Sequence, residues 1–332
     1  MNSIKIALKY IKNLPIVYDL IIKLSKKKIV ITKPRDADLI FVGDSLFTGQ
    51  DHPLVSIRSK LFRHVLRKMS YKNLIPTNFE LDFYLGILGR KLKPIKIFYT
   101  RENLPHNTID CDYSITNDIA ADNPNHLRIA NWKDHIDWSE NNSVDKLHYS
   151  EQIGKRFGSL LKISELMKPQ GSDFIFKNRN MCLITSHLRE PRRSIYLKFS
   201  SRFKVDGYGP FFDKKIKHHN KSNFTKKEIM RDYAFNLCPE NSLYPGFYTE
   251  KVPESFIAKS LPITWADHNI NYDFNEKAFI NLINYQFNNY EDIIELLKQD
   301  SFLKKFTQEP LLLKSINLEK ETIFIEKILK KL

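Results

Sequence analysis

The sequence predicts an α/β fold in which two Rossmann-like domains face a central cleft. Short apolar runs bounded by turn formers alternate with amphipathic helical segments along much of the chain. The alternation breaks at a turn-rich segment, residues 168–172, and then starts again. A length of 332 residues favours two domains, and an apolar fraction of 42% suffices for a hydrophobic core in each. Open α/β sheets of this kind bind their ligands at the carboxyl ends of the strands.

The first domain is expected to span residues 1–167. Its predicted helices cover residues 5–28, with an interruption at Pro15, and residues 54–69 and 150–167. Its predicted strands cover residues 29–32, 39–42, 95–100 and 113–116. Between the last strand and the last helix, an Asn- and Asp-rich stretch over 118–143 predicts irregular structure.

The second domain is expected to span residues 173–309 and to repeat the alternation. Its predicted strands cover residues 181–185, 203–206, 235–238 and 262–265. Its predicted helices cover residues 193–200, 226–232 and 251–259. A basic tail follows over 310–332, in which apolar residues and lysines are interleaved and predict a short amphipathic helix.

Two interpretations of this tail helix are open. It can pack on the protein's own domain, or it can lie reversibly on an anionic membrane surface, as amphipathic basic helices do. Residues 26–28, which are three consecutive lysines, and the overall charge favour the second interpretation. Each basic residue contributes about 1 kcal/mol at such a surface.

The net charge of +15 predicts a partner that carries phosphate: nucleic acid, a lipid headgroup or a nucleotide-linked substrate. Nucleic-acid binding is the distant alternative, because the sequence has no RNP, KH or helix-turn-helix signature. It also has no P-loop, GxGxxG, GxSxG or HExxH motif, so the common mechanisms built on those motifs lack support.

Cysteine usage and hydropathy indicate a cytoplasmic protein. The three cysteines lie far apart without a CxxC pair, which argues against a disulfide framework and against a structural zinc site. The apolar stretch over 14–24 is interrupted by Asp19 and Lys23, so neither a signal peptide nor a membrane span is expected.

The most informative stretch covers residues 233–251. A strand leads into a polar loop and a Pro-Gly turn, and the next helix is expected to open with Thr249 as its N-cap and Pro253 in its first turn. Backbone N–H groups at that end, with Lys251 beside them, suit a pyrophosphate. An ordinary capped helix with a solvated Glu-Lys pair is the alternative.

A second phosphate candidate follows the predicted strand over 181–185. The loop there carries Arg189, Arg192 and Arg193, and the guanidinium group binds phosphate through two parallel hydrogen bonds. Strand-end loops of open α/β sheets are where ligands bind. The alternative is a solvated basic surface loop.

A carboxylate, Glu102, follows the predicted strand over 95–100. At this edge of a sheet it could act as a general base toward a hydroxyl group. An exposed loop glutamate without a chemical role is the alternative.

Metal binding has little support. Asp110 and Asp112 form a DxD pattern, which holds a metal-nucleotide complex in one glycosyltransferase architecture but also arises by chance. His218 and His219 lack a carboxylate or thiol partner at ligand spacing, and they indicate a surface loop. No metal ligands are therefore assigned.

Taken together, the motifs resemble those of the family 10 α-1,3/1,4-fucosyltransferases over residues 95–300. The donor motif of that family is matched by Glu240-Asn241-Ser242, Pro245-Gly246, Thr249-Glu250-Lys251, Leu261-Pro262-Ile263 and Trp265. Its following segment is matched by Asp273-Phe274-Asn275 and Phe279-Ile280-Asn281. Its acceptor-domain motif is matched by Tyr99-Thr100-Arg101-Glu102-Asn103, Pro105, Asp112-Tyr113 and His126-Leu127-Arg128.

The resemblance implies a GT-B fold whose first domain binds the acceptor and whose second domain binds GDP-fucose. By position, Glu102 is its general base, Arg193 and Lys251 are its pyrophosphate ligands, and Glu250 could face the positive charge on the reacting sugar. The donor-binding residues that the resemblance implies are Arg193, Asn241, Phe247, Tyr248, Glu250 and Lys251.

The implied reaction is inverting transfer of fucose to an acceptor glycan, with no divalent metal required. The resemblance points to an α-1,3 or α-1,4 linkage to GlcNAc or glucose in a lipopolysaccharide or surface-polysaccharide precursor. The departures from the family pattern are Arg101, Pro239, Phe247, Thr264 and Ala266. Because lost hydroxyl groups change which sugar a pocket accepts, another GDP-deoxysugar is the alternative donor. A non-catalytic relative, with Glu102 turned away from the cleft, is a third interpretation.

Overall fold

A computed structural model of the protein describes residues 3–11, 14–43, 81–82, 85–88, 93–119, 122–144, 150–178, 180–212, 224–286 and 290–332. The chain forms two compact units. The first comprises Met1–Ile129 and Leu318–Leu332, and the second comprises Ala130–Asn317. The helix predicted over 54–69 and the pair His218 and His219 lie outside the described residues.

The first unit contains a parallel sheet. Its strands, within the described residues, are β1 (Ser3–Lys9), β2 (Lys28–Ile31), β3 (Leu39–Val42), β4 (Ile95–Tyr99), β5 (Tyr113–Thr116) and β6 (His126–Arg128). They lie in the order β2-β1-β3-β4-β5-β6, and each neighbouring pair is parallel. All residues of β3 and β5 are buried, as expected for strands covered on both faces.

The prediction of helix over 5–28 is wrong in its first part, because Ser3–Lys9 is the strand β1. Buried Ile4 and Ile6 flank exposed Lys5, which is the period of a strand, and β1 pairs with β2 on one side and β3 on the other. The helix α1 (Pro15–Ser25) begins at the proline, which is favourable in the first turn.

The second unit also contains a parallel sheet. Its strands, within the described residues, are β7 (Met181–Ile184), β8 (Val205–Tyr208), β9 (Phe235–Leu237), β10 (Leu261–Thr264) and β11 (Ile280–Asn281). They lie in the order β11-β10-β9-β7-β8. Its helices are α2 (Ser150–Phe157), α3 (Ile163–Leu166), α4 (Asp173–Phe176), α5 (Arg192–Ser200), α6 (Lys226–Arg231), α7 (Lys251–Ile257), α8 (Tyr290–Leu296) and α9 (Asp300–Leu303).

The strand order of the second sheet reverses between β7 and β9. The chain runs from β7 to the edge strand β8 and then returns to the other side of β7 to form β9. In doubly wound sheets the ligand binds outside the carboxyl ends of the strands at such a switch point. The loops that follow β7 and β9 are therefore where a ligand of this unit is expected.

Two predicted elements differ from the structure in instructive ways. The helix predicted over 150–167 is two helices, α2 and α3, separated at Gly158, whose φ of 112° is strained for other residues. The strand predicted over 203–206 starts two residues later, at Val205, because β8 takes its register from pairing with β7.

The compact units divide the chain elsewhere than the predicted domain boundary at 168–172. Residues 130–167 belong to the second unit, where Trp132 Nε1 donates to Asp273 Oδ2 (3.1 Å) and its ring lies 4.9 Å from that of Phe274. These contacts join residues about 140 positions apart. A change in residue composition along the chain, on which the predicted boundary was based, does not reveal such contacts.

The tail forms the helix α10 (Glu319–Leu329), which packs on the first unit. Phe324, Ile325 and Ile328 are buried, and the Phe324 ring meets Tyr113 edge-on at 5.6 Å. The apolar face of the tail is therefore covered by the protein's own domain, as the first of the two interpretations predicts. No helix among the described residues is long and apolar enough to cross a membrane.

Candidate active site

Arg192 links the two loops at the switch point of the second sheet. Its Nη1 donates to Thr185 Oγ1 (2.6 Å) and to the His187 carbonyl (3.1 Å), both in the loop after β7. Its Nη2 donates to Oδ1 of Asn241, in the loop after β9. The planar guanidinium group can hold both loops at once because its donors point in several fixed directions.

The predicted pyrophosphate ligand, Arg193, lies one residue further along α5 and is exposed. Its backbone N–H donates to the Arg189 carbonyl, while the Arg189 side chain is also exposed. The arginines of this loop thus differ in their surroundings. Arg192 has protein partners on both sides of the switch point, and the side chain of Arg193 reaches solvent. The sequence indicated a basic loop but not which arginine ties it together.

The carboxylate of Glu240 organises the turn before α7. It is only 1% exposed, and it accepts hydrogen bonds from Thr249 N (2.8 Å), Thr249 Oγ1 (2.9 Å) and Lys251 Nζ. A buried carboxylate needs partners of this kind to offset its lost hydration. Glu240 therefore holds Lys251 close to the loop after β9.

The prediction of Thr249 as the N-cap of α7 is wrong. Glu250 occupies the N-cap position, and the Thr249 hydroxyl donates to Glu240 instead. Pro253 does lie in the first turn, as predicted. The carboxylates of Glu250 and Glu254 lie at this end of the helix, so the positive charge available to a phosphate here comes from Lys251 rather than from the helix terminus.

Glu250 is held as a carboxylate. Its Oε1 accepts a hydrogen bond from Lys226 Nζ (3.1 Å), and its Oε2 lies 3.7 Å from His135 Nε2. Burial alone would raise its pKa, but the charges of Lys226, His135 and Lys251 outweigh burial and keep the pKa of Glu250 well below 4.5. The side chain is therefore ionised at neutral pH. Lys226 and His135 were not identified from the sequence.

Phe247 and Tyr248, two predicted donor-binding residues, are enclosed by protein. Both rings are buried, the Tyr248 hydroxyl donates to Asp267 Oδ1 (3.5 Å), and the Tyr248 carbonyl accepts from Trp132 N (3.2 Å). The role of Phe247 and Tyr248 toward a donor stays a prediction.

A buried polar chain fixes α7 against the sheet. Asn236 in the middle of β9 donates to Ser255 Oγ (2.6 Å), which in turn donates to the Lys251 carbonyl (2.6 Å). The Cys182 thiol of β7 donates to the Asn236 side-chain oxygen (3.4 Å). The signal in the sequence was a lone amide within an otherwise apolar strand, which requires partners when buried.

Glu102 lies in the first unit, in the loop at the carboxyl end of β4, and its side chain is exposed. Its N–H donates to Thr100 Oγ1 (3.0 Å), and its carbonyl accepts from Leu104 N (2.9 Å) and Asn117 Nδ2 (3.5 Å). The backbone of Glu102 is thus fixed by local hydrogen bonds, with the carboxylate at the edge of the sheet where ligands bind.

Asp110 and Asp112 lie at the other end of the strands, before β5. Asp112 Oδ2 accepts a hydrogen bond from Lys96 N (2.7 Å), so this carboxylate binds the backbone at the start of β4. Both line a cavity of about 480 Å³ together with Tyr113 and neighbouring polar residues. Among the residues that the structure describes, no group of three or more His, Cys, Asp or Glu side chains is arranged to hold a metal ion.

The fold and the site define a class of protein: a chain of two units, each built on a parallel α/β sheet, with cationic side chains near the strand ends of the second sheet, the edge at which such sheets bind ligands. Two solved structures share this fold. A crystal structure of an alpha1,3-fucosyltransferase matches with a TM-score of 0.61 and 21% identity, over 99% of this chain and 90% of that chain. A crystal structure of an alpha1,3-fucosyltransferase with GDP-fucose matches with a TM-score of 0.61 and 20% identity, again over 99% of this chain and 90% of that chain. The predicted GT-B fold class is confirmed.

Two family models match the sequence. The C-terminal model of glycosyltransferase family 10 (fucosyltransferase) matches residues 175–307, and the model of the alpha-(1,3)-fucosyltransferase FucT N-terminal domain matches residues 55–134. Together they cover well over half of the chain. This chain belongs to glycosyltransferase family 10, the fucosyltransferases, as its motifs predicted.

Two curated relatives agree with this assignment. The alpha-(1,3)-fucosyltransferase FucT of Helicobacter pylori is 25% identical over 65% of this chain. The putative fucosyltransferase R654 of Acanthamoeba polyphaga mimivirus is 29% identical over 42% of this chain. The match spans about half the length of the first relative and a quarter of the second, at 47% and 25%.

Proposed function

We propose that the protein transfers fucose from GDP-fucose to a hydroxyl group of an acceptor glycan, with inversion at the anomeric carbon. The observation that carries the proposal is the donor motif at the switch point of the second sheet, where Arg192 ties Asn241 to the loop after β7 and Glu240 holds Lys251. A family 10 transferase requires a site for a nucleoside diphosphate. Parallel sheets bind such ligands at the carboxyl ends of their strands.

Lys251 and Arg193 bind the pyrophosphate in this proposal. Lys251 exchanges part of its contact with Glu240 for a phosphate oxygen, and the exposed Arg193 side chain supplies the second cation. Asn241, with Phe247 and Tyr248 from the same motif, completes the donor site. These cations stabilise the charge that grows on GDP as it leaves, which is the part a divalent metal plays in other transferases. No divalent metal is therefore required.

Glu102 acts as the general base. The acceptor hydroxyl attacks the anomeric carbon, its proton passes to the Glu102 carboxylate, and the bond from that carbon to the phosphate oxygen breaks as GDP departs. Attack on the face opposite the leaving group inverts the anomeric configuration. Glu250, ionised and held beside Lys251, faces the positive charge that develops on the sugar ring.

The acceptor in this proposal is GlcNAc or glucose in a precursor of lipopolysaccharide or another surface polysaccharide, joined through an α-1,3 or α-1,4 linkage in the cytoplasm. Reversible attachment to an anionic membrane surface would depend on surface lysines, because the apolar face of α10 is buried. Another GDP-deoxysugar is the second candidate donor. Phe247, Thr264 and Ala266 support it, because they depart from the residues common in the family.

A thermal-unfolding panel tests the donor. A ligand at 100 times its dissociation constant stabilises the folded state by about 2.7 kcal/mol. We expect GDP and GDP-fucose to raise the melting temperature and UDP-sugars to leave it unchanged, with Lys251→Ala as the control that loses the response. Equal stabilisation by UDP-sugars would contradict the donor assignment. Transfer from GDP-fucose to a panel of GlcNAc- and glucose-terminated glycans then identifies the acceptor.

A further inference from the structure

Four ionisable side chains form a ring at the start of α7, and one of them, Glu250, belongs to the donor motif. Lys226 is the first residue of α6, His135 ends the 3₁₀ helix Asn131–His135, and Glu250 and Glu254 lie at the start of α7. The side chains of Lys226, His135, Glu250 and Glu254 are 12%, 21%, 21% and 2% exposed. Three elements far apart in sequence thus contribute to one partly dry cluster.

The geometry of the ring is symmetrical. Lys226 Nζ donates to Glu250 Oε1 (3.1 Å) and to Glu254 Oε2 (2.7 Å). His135 lies on the other side, with Nε2 3.7 Å from Glu250 Oε2 and Nδ1 3.6 Å from Glu254 Oε1. Each carboxylate therefore has one oxygen facing the lysine and the other facing the histidine. Both oxygens of Glu250 are engaged, so its side chain is held at two points.

Electrostatics favour the same arrangement. Burial acts to lower the pKa of Lys226, but the two carboxylates raise it above 10.5 overall, and the pKa of Glu250 is held below its usual value. The ring carries two carboxylates and one lysine beside the imidazole of His135. Two further cations face it, Arg156 from α2 and Lys251 from α7.

The ring does not serve helix capping. Within the described residues the Glu250 side chain makes no capping hydrogen bond to α7, although Glu250 occupies the N-cap position. Instead the ring reaches the donor motif. Lys226, Glu254 and Lys251 line one cavity of about 20 Å³, and Glu250 and Lys251 are adjacent in the chain.

We infer that Lys226 and His135 are positioning residues that hold the Glu250 carboxylate in one orientation at the donor site, with buried Glu254 as the fixed anchor of the ring. This inference rests on the proposed function. A carboxylate that faces developing charge contributes most when it needs no reorganisation during the reaction. Lys226 and His135 then act on the transition state through Glu250, whereas GDP is bound by Lys251 and Arg193.

The test compares kcat, KM and GDP affinity in matched variants. Lys226→Met and His135→Gln should each lower kcat for transfer by about tenfold or more, with GDP affinity close to that of the wild type. Lys226→Arg, which keeps the charge, should restore part of kcat. Arg231→Met removes a positive charge from an exposed position at the far end of α6, and it should leave kcat unchanged.

A double-mutant cycle separates positioning from simple structural support. In a Glu250→Gln background, Lys226→Met should cost little further kcat, because the group through which Lys226 acts has already changed. Additive losses would overturn the inference, as would wild-type kcat in both single variants. If Lys226→Met fails to fold, His135→Gln carries the cycle, because it leaves the Lys226–Glu254 pair intact.

If the proposed function is wrong, the wild type will not transfer fucose from GDP-fucose. The positioning role is then tested by comparing the Glu250 side-chain conformation in crystal structures of the wild type and His135→Gln. A changed Glu250 conformation in the variant would support the inference. An unchanged one would overturn it.

Discussion

Arg192 Nη2 donates a hydrogen bond to Asn241 Oδ1, and this contact joins the two loops between which the strand order of the second sheet reverses. The adjacent Arg193 is exposed on the same helix. One arginine therefore has a role in holding the site together, while its neighbour is available to a ligand. The two roles can be separated by experiment.

Arg193→Ala and Arg192→Ala should differ in what they weaken. Loss of a hydrogen bond to a charged group costs about 1.5–3 kcal/mol, so Arg193→Ala should lower GDP affinity roughly ten- to a hundredfold while the ligand-free protein melts as the wild type does. Arg192→Ala should lower the melting temperature of the ligand-free protein as well. Calorimetric titration with GDP and thermal unfolding measure both effects.

The opposite pattern would exchange the assignments. If Arg193→Ala keeps the full response to GDP and Arg192→Ala loses it without a change in ligand-free stability, then Arg192 is the pyrophosphate ligand.

Glu102→Gln should abolish most turnover and leave donor binding intact. The amide keeps the shape of the side chain but cannot accept the hydroxyl proton, so kcat should fall about a hundredfold or more. Asp110→Asn is the matched control, because it neutralises another exposed carboxylate between β4 and β5. Near wild-type turnover of Glu102→Gln would remove Glu102 from the mechanism.

Chelation should leave substantial activity. The proposed site uses Lys251 and Arg193 where metal-dependent transferases use a divalent ion, so EDTA has no essential ion to remove. Initial rates with and without EDTA measure this. Complete loss of activity that Mn²⁺ or Mg²⁺ restores would return Asp110 and Asp112 to the site.

The tail helix should contribute to stability through its buried face. Phe324 is 8% exposed and packs on Tyr113, so Phe324→Ala should destabilise the protein by about 3 kcal/mol. Ile323→Ala, at the neighbouring position that is 61% exposed, should change stability by less than about 0.5 kcal/mol. Denaturant unfolding compares the two. If both variants change the free energy of unfolding by the same small amount, packing of Phe324 on Tyr113 does not stabilise the protein.

The sequence predicted secondary structure correctly where the pattern of side chains fitted only one type of element. The strand predicted over 39–42 is β3, because a continuous apolar run bounded by turn formers has few other uses. The strand predicted over 113–116 is β5, in which Ser and Thr alternate with Tyr and Ile. Residues 3–9 were assigned wrongly, because so short a mixture of lysine and apolar residues fits a helix as well as a strand. Pairing with β2 and β3 on both sides makes it a strand.

The sequence by itself determined the α/β class, the family and the position of the donor motif, since each depends on residue types at short spacing. Only the tertiary structure decided that Arg192, rather than Arg193, links the loops, and that Glu240 rather than solvent receives Lys251. The ring around Glu250 likewise needed the fold, because His135, Lys226 and Glu254 come from separate segments. Charged groups interact according to their distance in space. Sheet order and helix packing set that distance, and the spacing of residues along the chain does not predict it.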